Sequence, residues 1–216
     1  MIVLALDTAL ETCSAALLDG GTVLAARSEP MARGHQERLA PLVAELMAEA
    51  GVGFDALDRI GVTVGPGSFT GLRVGLAFAK GLGVALDRPV VGVGTLEALA
   101  AESAGFAAAV IDARRDQVYL QPFRDGAAAG PPEALGLGDA RQRLIDIDPL
   151  GPVVLIGSGA PLLAQAFPAA EARDLRGVDP TALARLAAAA AEPDTAPRPI
   201  YLRAPDAKLP ASALSA

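Results

Sequence analysis

Apolar positions come in short blocks along the chain, separated by turn residues, rather than in one long stretch. Ile2–Leu6 is an apolar run that ends at Asp7, and Cys13–Leu18 is a second. Runs of this length bounded by turn signals predict buried strands. Asp19-Gly20-Gly21 predicts a tight hairpin into a third strand, Val23–Arg27. The chain therefore opens with a β-meander whose first turn carries Asp7, Thr8, Glu11 and Thr12. Leu39, Leu42, Val43, Leu46, Met47 and Ala50 then recur at helical spacing and predict a helix over Gln36–Ala50. Pro41 marks an early kink or a late start of that helix.

Ile60–Val64 reads as a short buried strand, and Gly65-Pro66-Gly67-Ser68 turns it into a second helix that reaches about Leu86. Val90–Val93 is another strand and Thr95–Glu102 a third helix. The order β-β-β-α-β-α-β-α describes a complete α/β lobe with a mixed sheet. The second half opens in a related way. Ala107–Asp112 is apolar and ends in Asp, and Gln117–Phe123 is a strand after the polar turn Ala113–Asp116. Gly126–Gly138 is rich in Gly, Pro and Ala and is expected to be a loop. Val153–Ile156 is a strand followed by Gly157-Ser158-Gly159, and Asp179-Pro180-Thr181 caps a helix expected to run through Ala191. Several prolines after Pro193 predict an irregular tail. Two pseudo-equivalent lobes follow, residues 1–104 and a reduced one over 105–216.

Composition narrows the function classes. Hydrophobic residues make up 52% of the 216, which excludes a disordered or linker chain. The balance of 18 Lys and Arg against 25 Asp and Glu, a net charge of -7, repels a phosphate backbone over most of the surface. Tight nucleic-acid binding by the isolated chain is therefore not expected. Cys13 is the only cysteine, so no internal disulfide can form, as in a reducing cytosol. No apolar run approaches roughly 18 residues without charges or turn signals, so no membrane span is expected.

The glycine turn at 65–68 admits two readings. A turn at a helix N-terminus exposes N–H groups to a phosphate, and Asp7, Thr8, Gly65, Gly67 and Ser68 would then hold a nucleotide. Equally, it is a tight strand-to-helix connection, and Asp7 closes a strand and caps the next turn. The turn is not a Walker A loop, since the first Lys after it is Lys80. It does not match the dinucleotide fingerprint, and Ser68 does not sit in a nucleophile elbow. His35 is the only histidine and cannot supply paired imidazoles to a metal. Its expected place is a helix start or a partner contact.

The second helix carries only Arg73 and Lys80 as charges between Leu72 and Leu86. Gly71, Gly75, Ala79 and Gly83 fall four apart and form one small-residue stripe. Interior glycine costs roughly 1 kcal/mol against Ala, so close approach of another backbone must offset it. One face of this helix packs on its own sheet. The other is assigned to a partner, through Leu72, Arg73, Gly75, Leu76, Ala79, Lys80 and Gly83, with Leu39 and Val43 of the first helix beside them.

The blocks LALDTALETCSAAL, RGHQERLAPLVAELM, GPGSFTGLRVGLAFAKGLG and PVVGVGTLEAL, with weaker VIDARRDQVYLQPF and PIYLR, resemble the TsaB (YeaZ-like) family. That resemblance implies the two-lobed actin-like, ribonuclease-H-related (ASKHA) fold. It implies a non-catalytic subunit that pairs with TsaD, and through it with the ATPase TsaE, for threonylcarbamoylation of adenosine 37 in ANN-decoding tRNAs. TsaC-type enzymes supply the threonylcarbamoyl adenylate. TsaD binds a metal through a helical His-x-x-x-His pair, and the matching positions here are Thr95 and Leu99. Leu cannot ligate a metal and Thr is a poor lone ligand. No metal and no required cofactor are expected, with at most weak ATP or ADP binding at the complex. A homodimer is expected when the chain is alone. The alternatives are an ATP-dependent small-molecule kinase of actin-like fold and a metallopeptidase-like hydrolase.

Overall fold

The computed structural model describes residues 1–148 and 153–203. The first lobe holds β1 (Ile2–Asp7), β2 (Thr12–Asp19), β3 (Thr22–Pro30), α1 (His35–Ala50), β4 (Arg59–Gly65), α2 (Phe69–Leu86), β5 (Val90–Gly94) and α3 (Thr95–Ala100). The second holds β6 (Phe106–Arg114), β7 (Gln117–Arg124), β8 (Ala127–Ala128), β9 (Glu133–Gly136), α4 (Leu137–Ile147), β10 (Val154–Ile156), α5 (Ala160–Ala164), β11 (Glu171–Arg173) and α6 (Pro180–Ala189). The first sheet runs β3-β2-β1-β4-β5 and the second β8-β7-β6-β10-β11, with β9 also on β7. The two orders are the same, with antiparallel meanders and parallel additions in matching places. This duplicated order is the two-lobed actin-like arrangement.

Burial on both faces explains the unbroken apolar runs. Along β1, Leu4 and Leu6 face α1 and α2, while Val3 and Ala5 face a central layer made by α3 and α6. The far side of the second sheet carries Val110, Leu120 and Leu155 against Leu144 of α4 and Leu163 of α5. The result is five layers: helices, sheet, helices, sheet, helices. Small residues let α6 lie close to the first sheet, where a Cβ on Gly61 would strike Ala187.

The division expected between residues 104 and 105 falls in the α3–β6 connection, but the lobes interleave. α3 packs on β6 and β7, and α6 returns to β1, β2 and β4. The Arg59 guanidinium anchors the end of α6 by donating to the carbonyls of Ala187 (2.9 Å) and Ala190 (2.7 Å). The stretch 126–138, expected to be a loop, contains β8 and β9 and enters α4. Pro41 lies on the exposed side of α1 and does not interrupt it. Gly51, at φ 65, ends that helix, with Val52 N–H donating to Met47 O as in a Schellman motif.

The assignment of α2's small stripe to a partner is corrected by the structure. Gly71, Leu72, Gly75, Leu76, Ala79 and Gly83 are all buried within the chain, as are Leu39 and Val43 of α1. The backbone that approaches closely is the chain's own β1–β2 turn. A Cβ on Gly71 would strike the carbonyl oxygen of Thr8, and one on Gly75 would lie 2.6 Å from Thr8 Oγ1. Thr8 Oγ1 in turn donates to Gly71 O at 2.7 Å. Of the expected interface set only Arg73 is exposed, with Lys80 half-buried. α2 has the length and composition of a membrane span, yet its small face is packed against the first sheet.

Gly75→Ala should cost about 1–3 kcal/mol through this contact, a fall of roughly 3–10 °C in Tm for a chain of this size. Leu76→Glu should abolish cooperative unfolding by burying an unpaired charge. Thermal unfolding followed by circular dichroism measures both, and wild-type midpoints would contradict the packing described.

Candidate functional site

Between the lobes lies a cleft of about 380 Å³, bordered by Glu11, His35, Ser68, Asp112, Arg114 and Arg176. It sits where β1 and β4 end in one lobe and β6 and β10 end in the other. The duplication extends into these turns. Asp7 Oδ1 accepts from Ala9 N–H at 3.0 Å, and Asp112 Oδ1 accepts from Arg114 N–H at 2.7 Å. The next bonds differ: Ser68 N–H donates at 2.7 Å to Ala9 O, after Asp7, whereas Gly159 N–H donates at 2.9 Å to Val110 O, before Asp112. Gly65 and Gly157 both adopt the left-handed region, φ 109 and 117, which other residues enter only with strain.

The five residues assigned to a nucleotide divide. Gly67 and Ser68 line the cleft, whereas Asp7, Thr8 and Gly65 do not. Asp7 is completely buried, and its carboxylate also accepts from Thr63 Oγ1 at 2.7 Å and Thr12 Oγ1 at 3.5 Å. Burial pushes its pKa up, opposed by the hydrogen bonds of Ala9, Thr63 and Thr12 and by nearby His35. Thr8 is committed to α2. A side chain on Gly65 would meet the carbonyl of Ile200 at 2.8 Å, and one on Gly67 would strike Ala9 O. Ser68 is exposed, but its Oγ caps α2 by accepting from Gly71 N–H at 3.2 Å. The Ser68 and Gly71 N–H groups are thus taken by the chain itself. Of the two sequence readings, the tight connection describes this geometry. His35 opens α1, buried, with Nε2 3.2 Å from Thr12 O.

Two arginines that composition and spacing did not single out occupy the cleft mouth. Glu11 lies 3.6 Å from both Arg114 and Arg176, and its N–H donates to Arg176 O. Arg114 also pairs with Asp112 at 3.1 Å. Arg114, Arg115 and Asp116 all have positive φ, 64, 55 and 56. Without a glycine there, the tight turn leaves no compositional mark. Thr95 and Leu99 open and line α3, where Leu99 faces the core between the sheets and Thr95 is fully buried. These side chains do not fit a metal, and no group of three His, Cys, Asp or Glu among the described residues does either.

On the far side of the first sheet, α1 and α2 leave a groove of about 510 Å³ bordered by Gln36, Phe69, Arg73, Val74, Ala77 and Phe78. Phe69 is 52% exposed and Val84 85%.

The sequence model of the family described as tRNA N6-adenosine threonylcarbamoyltransferase (TsaD) matches residues 27–130. YeaZ from Pseudomonas aeruginosa superposes with a TM-score of 0.75 at 34% identity, covering 93% of this chain and 99% of that one. The tRNA threonylcarbamoyladenosine biosynthesis protein TsaB of Bacillus subtilis is 35% identical over 164 residues, 73% of this chain and 71% of the relative. The chain belongs to the TsaB (YeaZ-like) family. A Mycobacterium leprae relative is 39% identical over 215 residues, and there this TsaB-family chain spans only 56% of the relative's length. The TsaD match runs from the end of β3 through β8, with α1, α2 and α3 inside it.

Because the folded state raises Asp7's pKa above its ordinary 3.8, folded protein holds that proton more tightly than the unfolded chain does. Between the ordinary and raised values the native state binds more protons, so Asp7 subtracts stability as pH rises through that window. The Tm difference between Asp7→Asn and wild type should therefore shift in favour of Asn as pH rises above 3.8. Parallel Tm–pH curves would contradict this.

Proposed function

We propose that this chain is the non-catalytic partner of a TsaD-type subunit in tRNA threonylcarbamoyladenosine formation. In this reading it works in the cytoplasm, beside a TsaE-type ATPase, on adenosine 37 of ANN-decoding tRNAs. Support comes first from the glycine turn, where the Ser68 N–H is taken by Ala9 O and the Gly71 N–H by Ser68 Oγ. It comes also from α3, where Thr95 and Leu99 stand in place of a metal-binding pair. A small-molecule kinase requires free phosphate-binding N–H groups and a metallopeptidase a metal-binding pair, so neither alternative gains support.

The partner contact belongs on the outward faces of α1 and α2, not on the buried stripe. α2 carries two cations and no acid, while exposed positions of α1 carry Glu37, and Glu45 and Glu49 that pair with Arg38 and Arg27 of the same chain. A two-fold or pseudo-two-fold axis brings such a pair against its own complement. A TsaD-type chain, with family likeness over this region, fits the arrangement, and a second copy imitates it when the partner is absent. Weak ATP or ADP binding is reserved for the assembled complex.

Purified chain should show no steady-state ATP or peptide hydrolysis that survives a second purification step. It should co-elute with a TsaD-type chain in size-exclusion chromatography, and turnover lost on Asp112→Ala would sink the non-catalytic assignment. In filter binding, tRNA should be retained only when the TsaD-type chain is added. A salt-sensitive complex with the isolated chain would contradict the charge argument.

A further inference from the structure

The chain's last described residues do not trail away from the fold. From the end of α6 they pass around the edge of the first sheet and across the N-terminal end of α2. Pro197 packs on Gly92, where a Cβ would come within 2.8 Å of it. Ile200 N–H donates to Val64 O at 2.7 Å, joining the strap to the end of β4. Tyr201 then meets Phe69, with ring centroids 5.5 Å apart and planes tilted by 35°. Arg73 completes the group. Its guanidinium lies 3.7 Å from the Phe69 ring centroid, and its Nε donates to Tyr201 Oη at 3.3 Å. Arg203 reaches on to Ala113 O at 3.4 Å in the second lobe.

A guanidinium over an aromatic ring is worth about 0.5–1 kcal/mol at an exposed site and about 2 or more once desolvated, so covering such a group strengthens it. Here Phe69 is 52% and Tyr201 46% exposed. Of the eight large apolar residues exposed among the described ones, four lie on α2 or the strap: Phe69, Val84, Ile200 and Tyr201. Arg73 and Lys80 have no carboxylate partner among the described residues, although the chain as a whole is acidic. The cluster is pre-formed, so docking would immobilise little that is not already held.

We infer that the strap is part of the partner surface, and that Tyr201, Phe69 and Arg73 form its anchor for a TsaD-type chain that presents carboxylates to Arg73 and Lys80. This rests on the reading of the chain as that subunit's partner. The anchor adds to the helix faces a contact built from residues 128 positions apart in the sequence. Tyr, Arg and Phe fully enclosed at an interface carry a disproportionate share of affinity.

The test is isothermal titration of the full chain with a TsaD-type chain, alongside circular-dichroism melting of each variant. Tyr201→Ala and Phe69→Ala should each weaken the complex roughly tenfold or more, with Tm unchanged. Leu162→Ser, an exposed apolar position on α5, should leave affinity at the wild-type value. Wild-type affinity in both anchor variants overturns this inference while leaving the partner assignment standing. Affinity that falls only in step with Tm across Tyr201→Ala, Tyr201→Leu and Tyr201→Phe also overturns it, since the strap would then serve the fold. Absence of any complex with the wild-type chain overturns both.

Discussion

The contact between the carbonyl of Thr8 and the backbone of Gly71 fixes the rest of the molecule. α2 can approach the β1–β2 turn because neither Gly71 nor Gly75 has a side chain, and Thr8 Oγ1 closes the approach with a hydrogen bond to Gly71 O. This one constraint places Gly67 and Ser68 under Ala9, holds Asp7 beneath the turn and sets which face of α2 reaches solvent. Glycine inside a helix weakens it by about 1 kcal/mol per residue, and what offsets that here is packing within the chain.

The same constraint separates the two sides of the first lobe in function. On the cleft side, the Ser68 and Gly71 N–H groups are taken by Ala9 O and Ser68 Oγ, and Asp7 is buried where burial opposes its ionisation. On the outer side, the residues that the small stripe pushes outward are Phe69, Arg73, Ala77 and Val84, an apolar and cationic surface on an acidic protein. The duplicated actin-like scaffold thus leaves the outer side of α2 uncovered, which is the surface the proposed partner reading uses.

Much of the first lobe was legible because its strands are apolar on both faces and its turns carry Gly, Asp or Pro at the required positions. The Asp-closed strand openings of both lobes also matched, down to the hydrogen bonds of Asp7 and Asp112. The second lobe was harder. α4 buries only Ala140 and Leu144, and β10 and β11 are three residues each, too short for a period to register. The small stripe was assigned outward for a specific reason: periodicity shows that Gly71, Gly75, Ala79 and Gly83 share a side of α2, but not which neighbour fills it. The arginine clasp at the cleft mouth and the Tyr201 strap join residues far apart in sequence through turns that carry no glycine signal, so spacing could not reveal them.

The most direct measurement uses the one native thiol. Cys13 is buried, with its pKa pushed up to about 11 chiefly by that burial, so it gives little background with a maleimide at neutral pH. A cysteine placed at exposed Ala77 on the outer face of α2, or at Leu162 on α5, is then labelled in the free chain. Adding a TsaD-type chain should protect Ala77→Cys and leave Leu162→Cys reactive. Equal labelling of Ala77→Cys with and without a bound TsaD-type chain would contradict the account.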